Sequence, residues 1–479
     1  MNLNHQSQNL KAKKIHFIGI GGIGMSALAR FYHSKDSFVS GSDKEHSPYI
    51  EDLQNEGIKI IWTPHNKTNI EKINPDYVIY STAITNENEE LKWAKENNKN
   101  ILHRSELLQI AFQNKKLISI SGTHGKTTTS AMVAEILIES GLNPSAILGG
   151  IIQTRNTNTI PGNGDYFIAE ADESDKSFLK GDPDIAVITN IEADHLENYP
   201  GGFEEIKKSF LEFAKKAMLN NGLVACIQDK VTKEIITKNF DLNSPKLITY
   251  GITQKSDQAM ISANRNNQNN CWDIYIKNKL VTSINLKVPG EHNILNALAA
   301  LGVCHLIGID FEKYKKAIEN YEGVKRRFQI ILKTKELTIV DDYAHHPTEI
   351  VATIKAAKEL SPTRLIVVLQ PHQPKRLKDL WKEFKQVLID EDNCTIFITD
   401  TYIARGQEIT GISSQKLVEE IGKPEVKYLP GDIEQIAQSI ERFIKTGDFI
   451  LIMGAGNITN LSQKLLKFNQ QLASKFGNN

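Results

Sequence analysis

An α/β fold divided into about three domains is what the sequence predicts, and three observations lead there. Apolar runs of about five residues alternate with helix-length amphipathic segments along the whole chain, the pattern of parallel strands covered by helices. At 479 residues the chain is longer than one ordinary core accommodates. Three apolar runs end abruptly in glycine: Ile15 to Ile20 before Gly21-Gly22, Leu117 to Ile120 before Ser121-Gly122, and Phe449 to Met453 before Gly454-Ala455-Gly456. Each of these can open a nucleotide-binding unit, because a strand that turns sharply into a helix leaves backbone N–H groups pointing at whatever anion sits there.

The first unit begins after a polar stretch, Met1 to Lys14, that is expected to fray. Gly19-Ile20-Gly21-Gly22-Ile23-Gly24 satisfies GxGxxG directly after a strand, and Asp43 follows roughly twenty residues on. Alone, this pattern suits an NAD enzyme. The same glycines also accept the pyrophosphate of a UDP-sugar, since loop and helix recognise phosphate and not what it carries. A boundary is expected near Gln113-Asn114.

The second unit carries the strongest local signal, Ser121-Gly122-Thr123-His124-Gly125-Lys126-Thr127-Thr128-Thr129, leading into a helix expected over Ser130 to Ser140. Small residues let the backbone wrap a polyphosphate, Lys126 can reach β and γ phosphates, and Thr127 can hold Mg²⁺. Ile120 stands where the full-length motif has its first glycine, so this is a shortened phosphate loop for ATP. Tyr166 to Glu170 and Asp184 to Asn190 read as buried parallel strands whose carboxyl ends bring Glu170 and the Asn190–His195 loop to the phosphate site, where carboxylate and imidazole can hold metal. The acidic run Ala171-Asp172-Glu173-Ser174-Asp175 would by itself be a solvated loop and a lone His195 structural, but their position after the phosphate loop reverses both readings. Asn264 to Asn270, with five asparagines, reads as a surface loop. Asn293 and Asn296 share a face at a helix start, able either to bond a nucleobase or to cap the helix.

The third unit is expected to start near Glu322-Gly323. Asp341-Asp342-Tyr343-Ala344-His345-His346-Pro347 follows the strand Leu337 to Val340 and again gathers polar groups at a strand end. Adjacent histidines on an extended chain point opposite ways, so substrate contact is a better reading than a shared zinc.

Composition narrows the function. Lys plus Arg equals Asp plus Glu at 57 each, so the chain carries no bias towards nucleic acid or an anionic membrane, and no nucleic-acid partner or membrane insertion is expected. Cys226, Cys271, Cys304 and Cys394 form no CxxC pair and read as reduced, mostly buried residues. A cytoplasmic location is expected.

Taken together, Gly19 to Gly24, Gly122 to Thr128, Glu170 to Asp175, Thr189 to His195, Gly290 to Asn296, Arg326-Arg327-Phe328 and Asp342 to Pro347 resemble the Mur ligases, in order and spacing over nearly the whole chain. The glycine loop with Met25-Ser26, and the run His345-His346-Pro347, look like the alanine-adding branch. The murein tripeptide ligases of wall recycling are the alternative. The resemblance implies a Rossmann-like N-terminal domain over residues 1–114 for the UDP-sugar, a central P-loop ATPase-type domain with a mostly parallel sheet over 115–323, and a Rossmann-like C-terminal domain over 324–479 that closes over the site.

The same resemblance implies ATP and Mg²⁺, with UDP-N-acetylmuramate and L-alanine as substrates of an acyl-phosphate ligation, and a monomer or weak homodimer. Gly122, Thr123, His124, Gly125, Lys126, Thr127 and Thr128 would bind ATP, and Thr127, Glu170 and His195 the metal. Asn293, Asn296, Arg327 and Asp342 would hold ATP or couple domains. Lys126, Glu170, His195, Arg327 and His345 are the catalytic candidates. Gly19, Gly21, Gly22, Gly24 and Asp43 would take the UDP moiety, and Tyr343, His345, His346 and Arg376 the alanine and the reacting carboxylate. Gln373 and Lys375 depart from the family pattern of arginine and a hydroxyl residue. Lys207 or Lys208 would be the place for the carbamylated lysine some Mur ligases carry.

Overall fold

The computed structural model describes residues 10–44, 47–61, 65–174, 176–252, 259–404 and 407–476. Of the stretch Met1 to Lys14 expected to fray, residues 1–9 lie outside them, as does the last acid of the central run, Asp175; residues 10–14 do not fray, because Leu10 is buried, its carbonyl accepts from Ser37 Oγ at 2.9 Å, and Lys14 opens the first strand. The protein is a three-domain α/β fold built on three mostly parallel sheets. Two of these belong to one compact unit, Met1–Leu286 with Leu295–Tyr321, and the third to a second unit, Lys287–Ile294 with Glu322–Asn479. The short segment Lys287–Ile294 joins the second unit because Glu291 pairs with Lys355 at 2.8 Å and Lys287 with Glu322 at 3.2 Å.

The first sheet has five parallel strands in the order Lys59–Ile61, Phe38–Ser42, Lys14–Ile18, Tyr77–Tyr80, Asn100–His103. Parallel neighbours need crossover helices, and each strand in the sequence is followed by one. Lys14–Ile18 lies centrally, with the chain running first to one side of it and then to the other. That reversal opens a crevice beyond its carboxyl end, where the glycine loop sits.

The second sheet has ten strands. Its parallel middle runs Ile261–Asn266, Leu247–Ile252, Gly222–Cys226, Ile185–Ile188, Lys116–Ser121, Tyr166–Glu170, Ser145–Ile152, and antiparallel strands extend both ends. Lys116–Ser121 again occupies the middle and feeds the phosphate loop. The helix after that loop is Lys126–Glu139, so it starts four residues before the expected Ser130. Thr127, Thr128 and Thr129 are weak helix formers by propensity, but all three are buried in the first turn, and tertiary packing overrides the local preference.

The asparagine-rich stretch is corrected by the structure. Ile261–Asn266 pairs antiparallel with Cys271–Ile276, with Asn264 opposite Asp273 and Asn266 opposite Cys271, so only the hairpin tip is a loop. The tip is tied down by Asn266, whose side-chain oxygen accepts from the N–H groups of Gln268 and Asn269, and Asn270 adopts the left-handed φ of +51° that asparagine tolerates.

The third sheet runs Gln329–Lys333, Leu337–Asp342, Asp448–Met453, Arg364–Leu369, Cys394–Ile398, Val426–Tyr428, parallel except for the first strand. Its two middle strands, Asp448–Met453 and Arg364–Leu369, are mostly Val, Ile and Leu and are buried except at Arg364, as expected of a sheet covered on both faces. All four cysteines are free thiols, with Cys226, Cys304 and Cys394 buried and Cys271 half-buried. Among the described residues no helix is long and apolar enough to cross a membrane.

One polar knot interrupts the apolar interior of the first sheet. Glu90 is fully buried, accepts a bond from Ser42 Oγ at 2.5 Å, and lies 3.5 Å from both His16 Nε2 and His65 Nδ1. Burial alone would raise its pKa, but His16, His65 and Ser42 overcome that and hold it near 2, below the ordinary 4.5. A carboxyl depressed in the fold stabilises above its unfolded pKa and ceases to do so as the pH falls through its folded value. We therefore expect the thermal midpoint to fall as the pH drops from about 5 to about 2. Glu90→Gln should be less stable at neutral pH and flatter across that acid range by calorimetry.

Candidate active site

The phosphate loop is shaped by two glycines that no other residue can replace. Gly122 has φ +136°, and a methyl group there would lie 2.1 Å from Thr189 Oγ1. Gly125 has φ +85° at the helix N-cap, with Asn296 Oδ1 only 2.6 Å from where its Cβ would be. The loop is gripped by the turn following Ile185–Ile188. Asn190 Oδ1 accepts from His124 N–H at 2.8 Å while its Nδ2 donates to His124 O at 3.0 Å, Thr189 Oγ1 donates to His124 O at 2.6 Å, and Glu192 N–H donates to Thr123 Oγ1 at 2.9 Å.

Lys126 opens the helix and bends back over the loop. Its ammonium donates to Gly122 O at 2.5 Å and Thr123 O at 3.2 Å, and to both carboxylate oxygens of Glu173 at 2.9 Å. Burial by itself would lower its pKa, but the charges of Glu173, Asp172 and Glu170 outweigh burial and raise it, so the group stays protonated. Thr127 Oγ1 donates to Glu170 Oε2 at 3.1 Å, and Gly149 N–H donates to Glu170 Oε1 at 2.5 Å. Hydroxyl and carboxylate side by side are the hard oxygen donors that suit Mg²⁺. His195 sits at the end of the gripping turn with φ +53°, its Nε2 3.6 Å from Asp194.

The structure thus brings together Gly122 to Thr128, Glu170 and Asn296, the last accepting from Thr129 Oγ1 at 3.1 Å. Asn293 has a different environment. It clusters with the other compact unit, where its side chain donates to Pro289 O at 2.7 Å. Glu173, which the acidic run taken alone places in solvent, is buried against Lys126. The signal available for it was its spacing, three residues beyond a strand that ends in Glu170.

In the glycine loop of the first sheet, Gly21 N–H donates to Asp43 Oδ2 at 2.8 Å, and Gly19 and Ile20 N–H groups donate to Ser42 O at 2.8 and 3.0 Å. Asp43 therefore braces the loop from behind. Gly24 packs against Arg104, a residue with no counterpart among the expected site positions.

In the second unit the run Asp342 to Pro347 forms a rigid corner. Asp342 Oδ2 accepts from Phe328 N–H at 2.6 Å and Oδ1 from Ala344 N–H at 2.7 Å. Burial raises its carboxyl to about 6, opposed by Arg327 and those two amides. Arg326 and Arg327 both stack on the Tyr343 ring, at 4.8 and 4.9 Å. Arg326 also donates to Gly454 O and Gly456 O, which fastens the third glycine loop to this corner. His346 is the N-cap of the helix Pro347–Glu359 and forms a capping box with Glu349, so its buried ring has a structural task.

His345 faces His372 and Tyr343 edge-on at 5.6 and 5.3 Å, and its Nδ1 lies 2.9 Å from Tyr343 O. Burial and the positive charges of Arg376 and Arg327 lower its pKa to about 4 against the opposing pull of Glu349. Lys375 is exposed and paired with Asp379 at 3.1 Å, one helical turn along. Lys207 pairs with Glu204 at 2.7 Å.

Three family models match the chain over most of its length. Residues 14–116 match the family model described as Mur ligase family, catalytic domain; residues 120–304 match the Mur ligase middle domain; residues 326–456 match the Mur ligase, glutamate ligase domain. The chain belongs to the Mur ligase family. Within it, the chain is similar to a UDP-N-acetylmuramate–L-alanine ligase of Carboxydothermus hydrogenoformans, 42% identical over 459 residues that cover 95% of this chain and 97% of the relative. A ligase of the same name from Desulforamulus reducens is 40% identical over 462 residues, covering 95% and 98%. The crystal structure of the UDP-N-acetylmuramate–alanine ligase of Thermotoga maritima superposes with a TM-score of 0.80 at 28% identity, covering 96% of this chain and 99% of that one. A murein peptide ligase of Psychrobacter arcticus, 22% identical with a TM-score of 0.68, shares the fold.

Two outcomes are expected from this geometry. Lys126→Ala strands the Glu173 carboxylate and should cost about 3 kcal/mol in denaturant unfolding, while adding Glu173→Gln in the same chain should recover most of it. His345 binds its proton in the unfolded chain near the ordinary 6.5 but in the fold only near 4, so unfolding takes up a proton between those values. Stability should therefore fall as the pH drops from 6.5 to 4, and His345→Gln should flatten that slope in pH-dependent melting.

Proposed function

We propose that this chain is an ATP-dependent ligase that joins L-alanine to the lactyl carboxylate of UDP-N-acetylmuramate, giving UDP-N-acetylmuramoyl-L-alanine, ADP and phosphate in cell-wall precursor synthesis. The observation that carries the reading is the 42% identity over 95% of the chain to a ligase of that name, with the phosphate loop, the Glu170 pair and the Asp342 corner all in place. In this reading residues 1–114 take the UDP-sugar, 115–323 take ATP, and 324–479 take the amino acid. The enzyme works in the cytoplasm as a monomer or weak homodimer.

A carboxylate and an amine do not condense unaided, so the carboxylate must be activated. A lactyl carboxylate oxygen attacks the γ-phosphorus of ATP, the bond to the β-phosphate oxygen breaks, and ADP and an acyl phosphate result. The loop N–H groups and Lys126 hold the charge that spreads over the transferring phosphoryl oxygens. To do so Lys126 exchanges its contacts with Glu173 and the loop carbonyls for phosphate oxygens. Thr127 and Glu170, with His195, would hold Mg²⁺, whose charge offsets that of the phosphates.

The neutral amine of alanine then attacks the acyl carbon, the C–O bond to phosphate breaks, and an amide and inorganic phosphate are left. His345 supports the proton bookkeeping of this step, because its depressed pKa leaves it neutral and able to accept the amine's proton. Arg376 would pair the alanine carboxylate, its planar fork suiting a bidentate contact. Lys375, committed to Asp379, gives it no help.

Phosphate release should require ATP, UDP-N-acetylmuramate and L-alanine together, measured with a coupled phosphate assay. Lys126→Ala should abolish release while UDP-sugar binding by calorimetry survives. Release that needed free murein tripeptide in place of the UDP-sugar would make this a recycling ligase, and release indifferent to acceptor would leave only an ATPase.

A further inference from the structure

An ammonium group has three N–H donors, and the partners of Lys126 occupy them all. Gly122 O and Thr123 O accept at 2.5 and 3.2 Å, and the Glu173 carboxylate accepts with both oxygens at 2.9 Å. A phosphate oxygen therefore reaches this ammonium only by displacing a partner already there. The two carbonyls are poorly placed to give way. Gly122 is wedged against Thr189 and Asn190 at φ +136°, while Thr123 donates its N–H to Asn190 O at 3.1 Å and accepts at Oγ1 from Glu192 N–H at 2.9 Å. Glu173 reaches in with a side chain alone, so it is the partner able to leave.

Its backbone, by contrast, is anchored. The buried Tyr199 donates its hydroxyl to Glu173 O at 2.5 Å, and Asn198 Nδ2 donates to Ser174 O at 2.7 Å. Both anchors belong to the short turn that follows His195, and the Lys176 ammonium lies 4.8 Å from the centre of the Tyr199 ring. The turn thus fixes the point from which the carboxylate swings out and to which it returns.

Charge explains why a carboxylate is needed and why it obstructs. Lys126 opens the helix Lys126–Glu139, which has no acid in its first turn and no side-chain cap at Gly125. A cation at that end opposes the helix dipole, so its counter-charge has to come from another segment. Glu173 supplies it. Burial would raise the neighbouring Asp172 carboxyl, but Lys126 and Ser174 hold it below its ordinary range, so two acids depend on one ammonium. A phosphate that draws Lys126 away leaves both of them uncompensated.

We propose that Glu173 is a positioning residue that stands on Lys126 in the place of the γ-phosphoryl group, holding the ammonium over the loop and setting a threshold that ATP has to overcome and ADP does not. The proposal rests on the reading of this loop as the ATP site of the ligase. It also gives the carboxylate a second task, since its return to Lys126 competes with inorganic phosphate and helps that product to leave.

The test is isothermal calorimetry on the full chain in Mg²⁺, with ATP and ADP titrated separately and without UDP-N-acetylmuramate or alanine, so that no ligation occurs. The unmodified chain is compared with Glu173→Gln, which keeps the size and an acceptor oxygen but removes the charge, and with Glu173→Asp. Kd for ATP in Glu173→Gln should fall threefold or more, with about tenfold expected for one charge-assisted contact that no longer has to be broken. The gain for ADP should be less than half as large. Glu173→Asp, whose carboxylate is withdrawn by one methylene, should lie between the unmodified chain and Glu173→Gln. A merely structural role would weaken both nucleotides together. An ATP gain below threefold, a weakening of ATP, or an ADP gain of half the ATP gain or more overturns the proposal. Should Glu173→Gln fail to fold, the same criteria applied to Glu173→Asp decide. An unmodified chain that binds no ATP defeats the reading of the loop itself, and one that binds ATP yet never ligates defeats the ligase reading while the comparison of ATP with ADP still stands.

Discussion

An ammonium held almost out of water has to be compensated, and the compensation of Lys126 organises the middle of this molecule. Its charge is met by Glu173 on one side and by the carbonyls of Gly122 and Thr123 on the other, so the phosphate loop, the helix it opens and the acidic loop form one electrostatic body. Every partner in that body could be exchanged for phosphate oxygen without moving the lysine far. The arrangement keeps the cation protonated and in position, with a carboxylate beside it.

Around this centre the backbone is constrained by close approach more than by its own preferences. Gly122 admits Thr189 and Asn190, Gly125 admits Asn296, and Gly24 admits Arg104. In each case a glycine marks a place where a side chain from a distant segment comes down onto a loop, and the visitor is polar. The second unit uses a different device. Asp342 and Glu349 each accept from two backbone N–H groups, which fixes the chain direction between strand and helix and leaves Tyr343 and His345 projecting from a stiff corner. Rigid elements with polar tips are how a site on strand ends acquires defined geometry.

Much of this was legible in the residues. The strands that precede the three glycine loops fall where the apolar runs place them, and Lys126, Thr127 and Glu170 lie together as strand-end logic requires. The helix start at Lys126 was not legible, because three threonines in succession read as a loop until their burial is known. Glu173 was legible only from its position after the phosphate loop, and its pairing with Lys126 was not. A carboxylate in an acidic run reads as solvated, and only the return of the chain beside the phosphate loop puts a lysine next to it. Asn264 and Asn266 belong to a strand because their cross-strand neighbours hold them there, a fact that composition does not contain.

By itself the sequence determined the fold class, the phosphate loop and the family, since each depends on residue types at short spacing: alternation of apolar runs, glycines where the backbone must turn, a lysine where the helix begins. The tertiary structure alone decided which charges meet. Arg104 and Gly24 are eighty residues apart, Lys126 and Glu173 forty-seven, Gly125 and Asn296 more than a hundred and seventy. No local propensity encodes such pairings, because they are set by the order in which parallel strands are laid side by side, and that order is a property of the packed core.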